Sequence, residues 1–64
     1  MATGWVERAI AEREALKARM DKLTLFIETD EFLSLGVAHR SLLQQQLVHM
    51  SRYCNVLKER IELA

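Results

Sequence analysis

The feature that most constrains this chain is a run of apolar side chains spaced alternately three and four apart. Val6, Ala9, Arg13, Leu16, Met20, Leu23 and Ile27 follow that spacing, and only Arg13 is polar. A second run, Leu43, Leu47, Met50, Cys54, Leu57, Ile61 and Ala64, has the same spacing and is apolar throughout. A 3.6-residue helix places such residues along one line, so each run is the seam of a helix packed lengthwise on a partner. Neither run contains proline, and the two glycines, Gly4 and Gly36, lie outside both.

Between the runs the pattern breaks at Thr29-Asp30. The spacing predicts a first helix over about 4–29, a connector over about 30–35 and a second helix over about 35–63. Thr3 is the expected cap of the first helix, and its early Glu7 suits the positive end of the dipole. Asp30 is expected to cap a short turn carrying Phe32 and Leu33, and Ser34 the second helix. So short a connection makes the helices antiparallel neighbours. The predicted fold is all-α: an antiparallel two-helix hairpin assembling into a helical-bundle oligomer. Leu16, Met20, Leu23, Leu43, Leu47, Met50, Leu57 and Ile61 are expected to be mostly buried.

Self-association is expected because two rods touch along one line only. A hairpin of 64 residues without disulfide or metal rarely supplies more than ~3–5 kcal/mol. A second stripe, Leu42, Gln46, His49, Tyr53, Val56, Arg60 and Leu63, runs beside the second seam with mixed polarity. One partner helix needs one seam. The expected subunit interface is therefore Leu42, Gln46, His49, Tyr53 and Val56.

Composition excludes several functions. Nine Lys and Arg balance nine Asp and Glu, so neither a basic DNA-binding surface nor an acidic DNA mimic is expected. The longest uncharged run, Ser41 to Ser51, is interrupted by glutamines and too short to span a bilayer. No signal-peptide pattern is visible. The single cysteine, Cys54, suits a reducing cytoplasm and lies on an apolar seam, where thiols are usually inert. His39, His49 and Cys54 lack the helical spacing that converges on one ion, so no metal is expected. No cofactor and no catalytic residue is expected, since there is no glycine-rich phosphate loop and no paired acid and base.

The candidate ligand-binding residues are Trp5, Arg8, Arg13, His49, Tyr53 and Arg60. His49 and Tyr53 lie one turn apart, an arrangement able to stack and hydrogen-bond a base, or to form an interface rim. Trp5, Arg8, Arg52, Lys58 and Arg60 fall in the open half of an antiparallel hairpin. There an aromatic plate among cations suits a nucleotide or phosphate. The competing reading is a solvated face of exchangeable ion pairs with Glu7, Glu12, Glu14, Glu59 and Glu62. Arg13 is either a cation awaiting an anion, or a register residue whose stem packs while its head reaches Glu59 or water.

Further residues carry a family resemblance. These are Glu12, Glu14 and Leu16, then Met20, Lys22-Leu23, Phe26-Ile27, Phe32 and Leu35. After the turn come Arg40, Leu42-Leu43, Gln46, Met50, Tyr53, Val56-Leu57 and Arg60-Ile61. Over residues 12–62 the chain resembles small helical-hairpin proteins of tailed bacteriophages, including a family catalogued from crAss-like phages. The resemblance implies a helical hairpin, a phage or prophage origin and hence the cytoplasm of a bacterial host. By analogy with phage counter-defence, two non-enzymatic functions are expected. One is an oligomer that sequesters a cyclic or ADP-ribose-type nucleotide immune signal. The other is a module that binds a host or phage protein through its second helix.

Overall fold

The computed structural model describes residues 4–64. The chain is a helical rod of 49 × 15 × 12 Å. Two long helices, α1 (Gly4–Ile27) and α3 (Val37–Glu62), pack against each other, and a one-turn helix, α2 (Asp30–Leu33), joins them. Among the described residues no helix is long and apolar enough to cross a membrane. The expected cap at Thr3 lies outside the described residues.

The turn is built differently from the sequence expectation. α1 ends at Ile27 rather than near residue 29, and its last amides fold into tighter bonds, Glu28 N–H to Leu25 O and Thr29 N–H to Phe26 O. Thr29, not Asp30, caps α2: it adopts an extended backbone, and its hydroxyl oxygen accepts from the Phe32 N–H at 3.3 Å. That hydroxyl also donates to the Phe26 carbonyl at 2.6 Å, tying α1 to α2. A threonine bonds both ways, whereas an ionised aspartate only accepts. Ser34 closes α2 instead of opening α3, and its hydroxyl donates to the Glu31 carbonyl at 2.6 Å. α3 starts at Val37 behind Gly36, which supplies no side-chain cap. Phe32 is buried under this turn, edge-on to Phe26 with ring centroids 6.2 Å apart. Thr29→Val keeps the shape and removes both bonds. It is expected to cost about 1 kcal/mol and to lower the melting temperature, read by circular dichroism, by roughly 4–8 °C.

Both seams face each other. Ala9, Leu16, Cys54 and Leu57 form the buried centre, with Met20, Met50 and Ile61 packed on it. Of the eight residues expected to be mostly buried, only Leu16 and Leu57 are. Met20, Leu23, Leu43, Leu47, Met50 and Ile61 are half-buried. The cause is geometric: two cylinders enclose only the residues on their line of contact. Everything flanking that line stays wet, and Trp5, Ile10, Leu42, Val48, Tyr53 and Val56 are exposed.

Candidate functional site

Positions flanking the seams define two long faces of the rod. Tyr53 on α3 donates a hydrogen bond to the Glu12 carboxylate on α1. The Arg60 guanidinium lies over the Trp5 ring, 5.6 Å from its centroid. These contacts place Trp5 and Glu12 on the same face as Tyr53 and Arg60. Helical spacing adds Arg8, Ala15, Arg19, Lys22 and Phe26 from α1, and His39, Leu42, Gln46, His49, Val56 and Leu63 from α3. On the opposite face Ile10, Arg13, Glu14, Lys58, Ile61 and Glu62 line one small groove. The same spacing puts Glu7, Lys17, Asp21 and Glu28 beside them.

The neutral chain is thus electrically two-sided. The Tyr53 face carries Arg8, Arg19, Lys22 and Arg60 against Glu12 alone, and that carboxylate is already engaged by Tyr53. The opposite face carries Glu7, Glu14, Asp21, Glu28 and Glu62 against Arg13, Lys17 and Lys58. Summed like charges along one face set up a potential that pairwise ion pairs do not cancel. Residue counts hide this because the two faces offset each other.

The Tyr53 face also holds the larger apolar surface. Leu42, Gln45, Gln46, His49, Met50 and Tyr53 line an open groove of about 590 Å³. Leu42 is 61% exposed, Val56 49% and Tyr53 44%. The Gln46 amide reaches only the Met50 sulfur, at 4.0 Å, so its stronger hydrogen-bonding capacity is unused.

The six candidate ligand residues do not form one site. Trp5, Arg8, His49, Tyr53 and Arg60 share the Tyr53 face, with the stacked Trp5–Arg60 pair near its open end and His49 in the central groove. Arg13 stands apart in the opposite groove, where its Nε is buried without a hydrogen-bond partner. The wider cation group is split as well. Lys58 lies in the groove with Arg13, and Arg52 borders a groove with Ser41, Gln44, Gln45, Val48 and His49. Arg19, Lys22 and Phe26 are not among the candidate ligand residues that the sequence suggests. They belong to the charged face by helical spacing alone, a signal available once Tyr53 and Glu12 are known to be opposite. Nor is Arg40 among those candidates; the sequence offers it only within the family resemblance, and its Nε is buried and unpartnered near the start of α3.

A family model described as Sequestin matches residues 3–63, and the chain belongs to that family. No curated protein and no solved structure matches it.

Proposed function

We propose that this Sequestin-family chain is a non-enzymatic phage or prophage protein that works as a homo-oligomer in the cytoplasm of its bacterial host. Its task is to sequester a nucleotide signal of host immunity, of cyclic or ADP-ribose type. The family name fits a protein that withholds another molecule rather than converting it. The observation that carries the reading is the charge on the Tyr53 face. Four cations and the aromatic rings of Trp5 and Tyr53 share that face with a single, engaged carboxylate. Phosphates take bidentate bonds from arginine, and bases stack on aromatic rings and guanidinium planes. The subunit contact uses Leu42, Gln46, His49 and Tyr53, whose groove is otherwise open to water, together with the exposed Val56.

The alternative is a protein-binding module. The exposed Leu42, Tyr53 and Val56 strip favours it, since an amphipathic partner helix also docks in an apolar groove. A panel of cyclic and linear nucleotides separates the two. A ligand at 100 times its Kd adds about 2.7 kcal/mol. For a domain this small the melting temperature rises on the order of 10 °C or more. We expect that rise with a cyclic or ADP-ribose-type nucleotide. A flat response across the panel removes the sequestering reading in favour of the protein-binding one.

A further inference from the structure

We infer that two copies of this chain stack on their Tyr53 faces about a two-fold axis crossing the rods at right angles, between Ala15 and His49. Each long helix then lies antiparallel on its own copy. This rests on the self-association proposed above and adds its register and the composition of a shared site.

The pattern of α3 is self-complementary about His49. Turning it end over end places Leu42 on the partner's Val56, Gln46 near the partner's Tyr53 and His49 on the partner's His49. Gln46, whose side-chain amide makes only a long hydrogen bond to sulfur among the described residues, gains the phenol as a partner. α1 is self-complementary too, about Ala15: Trp5 meets the partner's Phe26, Glu12 meets the partner's Arg19, and Ala15 meets its own copy. These two patterns need not share an axis, yet they do. Tyr53 lies opposite Glu12, and one heptad along Gln46 lies opposite Arg19. The midpoints, His49 and Ala15, are therefore level.

The other two-fold stacking has its axis along the rods and lays α3 on the partner's α1. It would set Leu42 on the partner's Lys22 and Val56 on the partner's Arg8, burying apolar groups against cations that lose water without a counter-charge. The crosswise axis instead covers apolar with apolar and pairs Glu12 with an arginine. A face of 49 × 15 Å offers roughly 700 Å² per chain, close to the ~800 Å² of a stable interface.

The stacking completes a site at each end. Trp5, Arg8 and Arg60 of one chain come beside Phe26, Lys22 and His39 of the other, while Glu12 stays at the centre. Each end is cationic, aromatic and without a carboxylate from these faces. Arg8 and the partner's Lys22 repel until an anion separates them, so the ends suit a ligand with two phosphates bridging the subunits, and its binding tightens the dimer.

Single cysteines read the register. Cys54 is buried, so the wild-type chain should resist cross-linking by a short bis-maleimide. His49→Cys and Ala15→Cys should each give covalent dimers alone. Leu42→Cys and Val56→Cys should not do so alone, but should when mixed. Self-cross-linking by Leu42→Cys, or cross-linking of Ala15→Cys only to His49→Cys, overturns the register and leaves self-association standing; a wild-type monomer by light scattering overturns both. The shared ends are read with inorganic pyrophosphate, which should raise the wild-type melting temperature. Arg8→Ala and Lys22→Ala should each abolish the rise. An equimolar mixture refolded together should recover part of it, because a mixed dimer keeps one intact end. No rise in the wild type, or no recovery in the mixture, overturns the shared site.

Discussion

Leu57→Ala is expected to unfold most of the protein's cooperative structure at temperatures where the wild type is folded. Leu57 is 0% exposed, the one large side chain fully enclosed among the described residues, and belongs to the cluster with Ala9, Leu16 and Cys54. Removing it loses transfer free energy and leaves a cavity that two stiff helices cannot collapse around, a cost of about 2–5 kcal/mol. A small hairpin holds only ~3–5 kcal/mol in total, so one substitution consumes most of it. Thermal unfolding followed by circular dichroism should show a fall of at least about 10 °C, or no transition at all. Leu63→Ala is the matched control: Leu63 is 87% exposed, and its loss should stay within about 0.5 kcal/mol. A Leu57→Ala protein melting with the wild type would mean that the α1–α3 seam does not hold this chain together.

The seam was legible because burial on a helix is periodic. Val6 through Ile27 and Leu43 through Ile61 all fall at buried or half-buried positions, as three-and-four spacing requires. Depth of burial was not legible. Leu43 and Leu57 lie two heptads apart at the same place in the pattern, yet only Leu57 is enclosed, in the cluster with Ala9 and Leu16. Periodicity gives direction around a helix, while depth depends on the size of whatever lies across from it. The turn was misread for a related reason. Thr29, Asp30 and Ser34 are all good capping types, and which of them bonds an amide is settled by where α1 releases the chain, not by residue type.

The Tyr53 face was half legible. The stripe Leu42 to Leu63 could be read from α3 alone, since it needs only helical spacing. Its α1 half could not, because the sequence does not say which flank of one helix lies beside which flank of the other. The Tyr53–Glu12 bond and the Arg60–Trp5 stack supply that relation. Once it is known, a chain with zero net charge separates into a cationic and an acidic face. Arg13, which looked like a companion of the other cations, falls on the far side, because its seam position sends the guanidinium toward Lys58 and Glu62.

The double substitution Tyr53→Glu with Val56→Glu is expected to convert the proposed oligomer to a monomer. Both residues are substantially exposed on the chain by itself, so the change costs the single hairpin the Tyr53–Glu12 bond and a water-screened repulsion between the new carboxylate and Glu12. In the assembly the effect is much larger. Two carboxylates per chain would enter a strip whose other members, Leu42, Gln46 and His49, offer no permanent positive charge. Burying an unpaired charge is among the most expensive changes an interface can suffer, and here each new carboxylate would face only an amide or an apolar side chain of the partner. A loss of ~4 kcal/mol weakens association on the order of a thousandfold, enough to carry a nanomolar dimer into the micromolar range. Light scattering at micromolar concentration reads it directly, as a mass falling toward the 7.4 kDa of one chain. The nucleotide response should vanish together with the larger species, since the cations of one hairpin then lie open to water and salt. A double variant of unchanged mass would place the subunit contact elsewhere. A variant that became monomeric but kept its nucleotide response would place the ligand within a single hairpin.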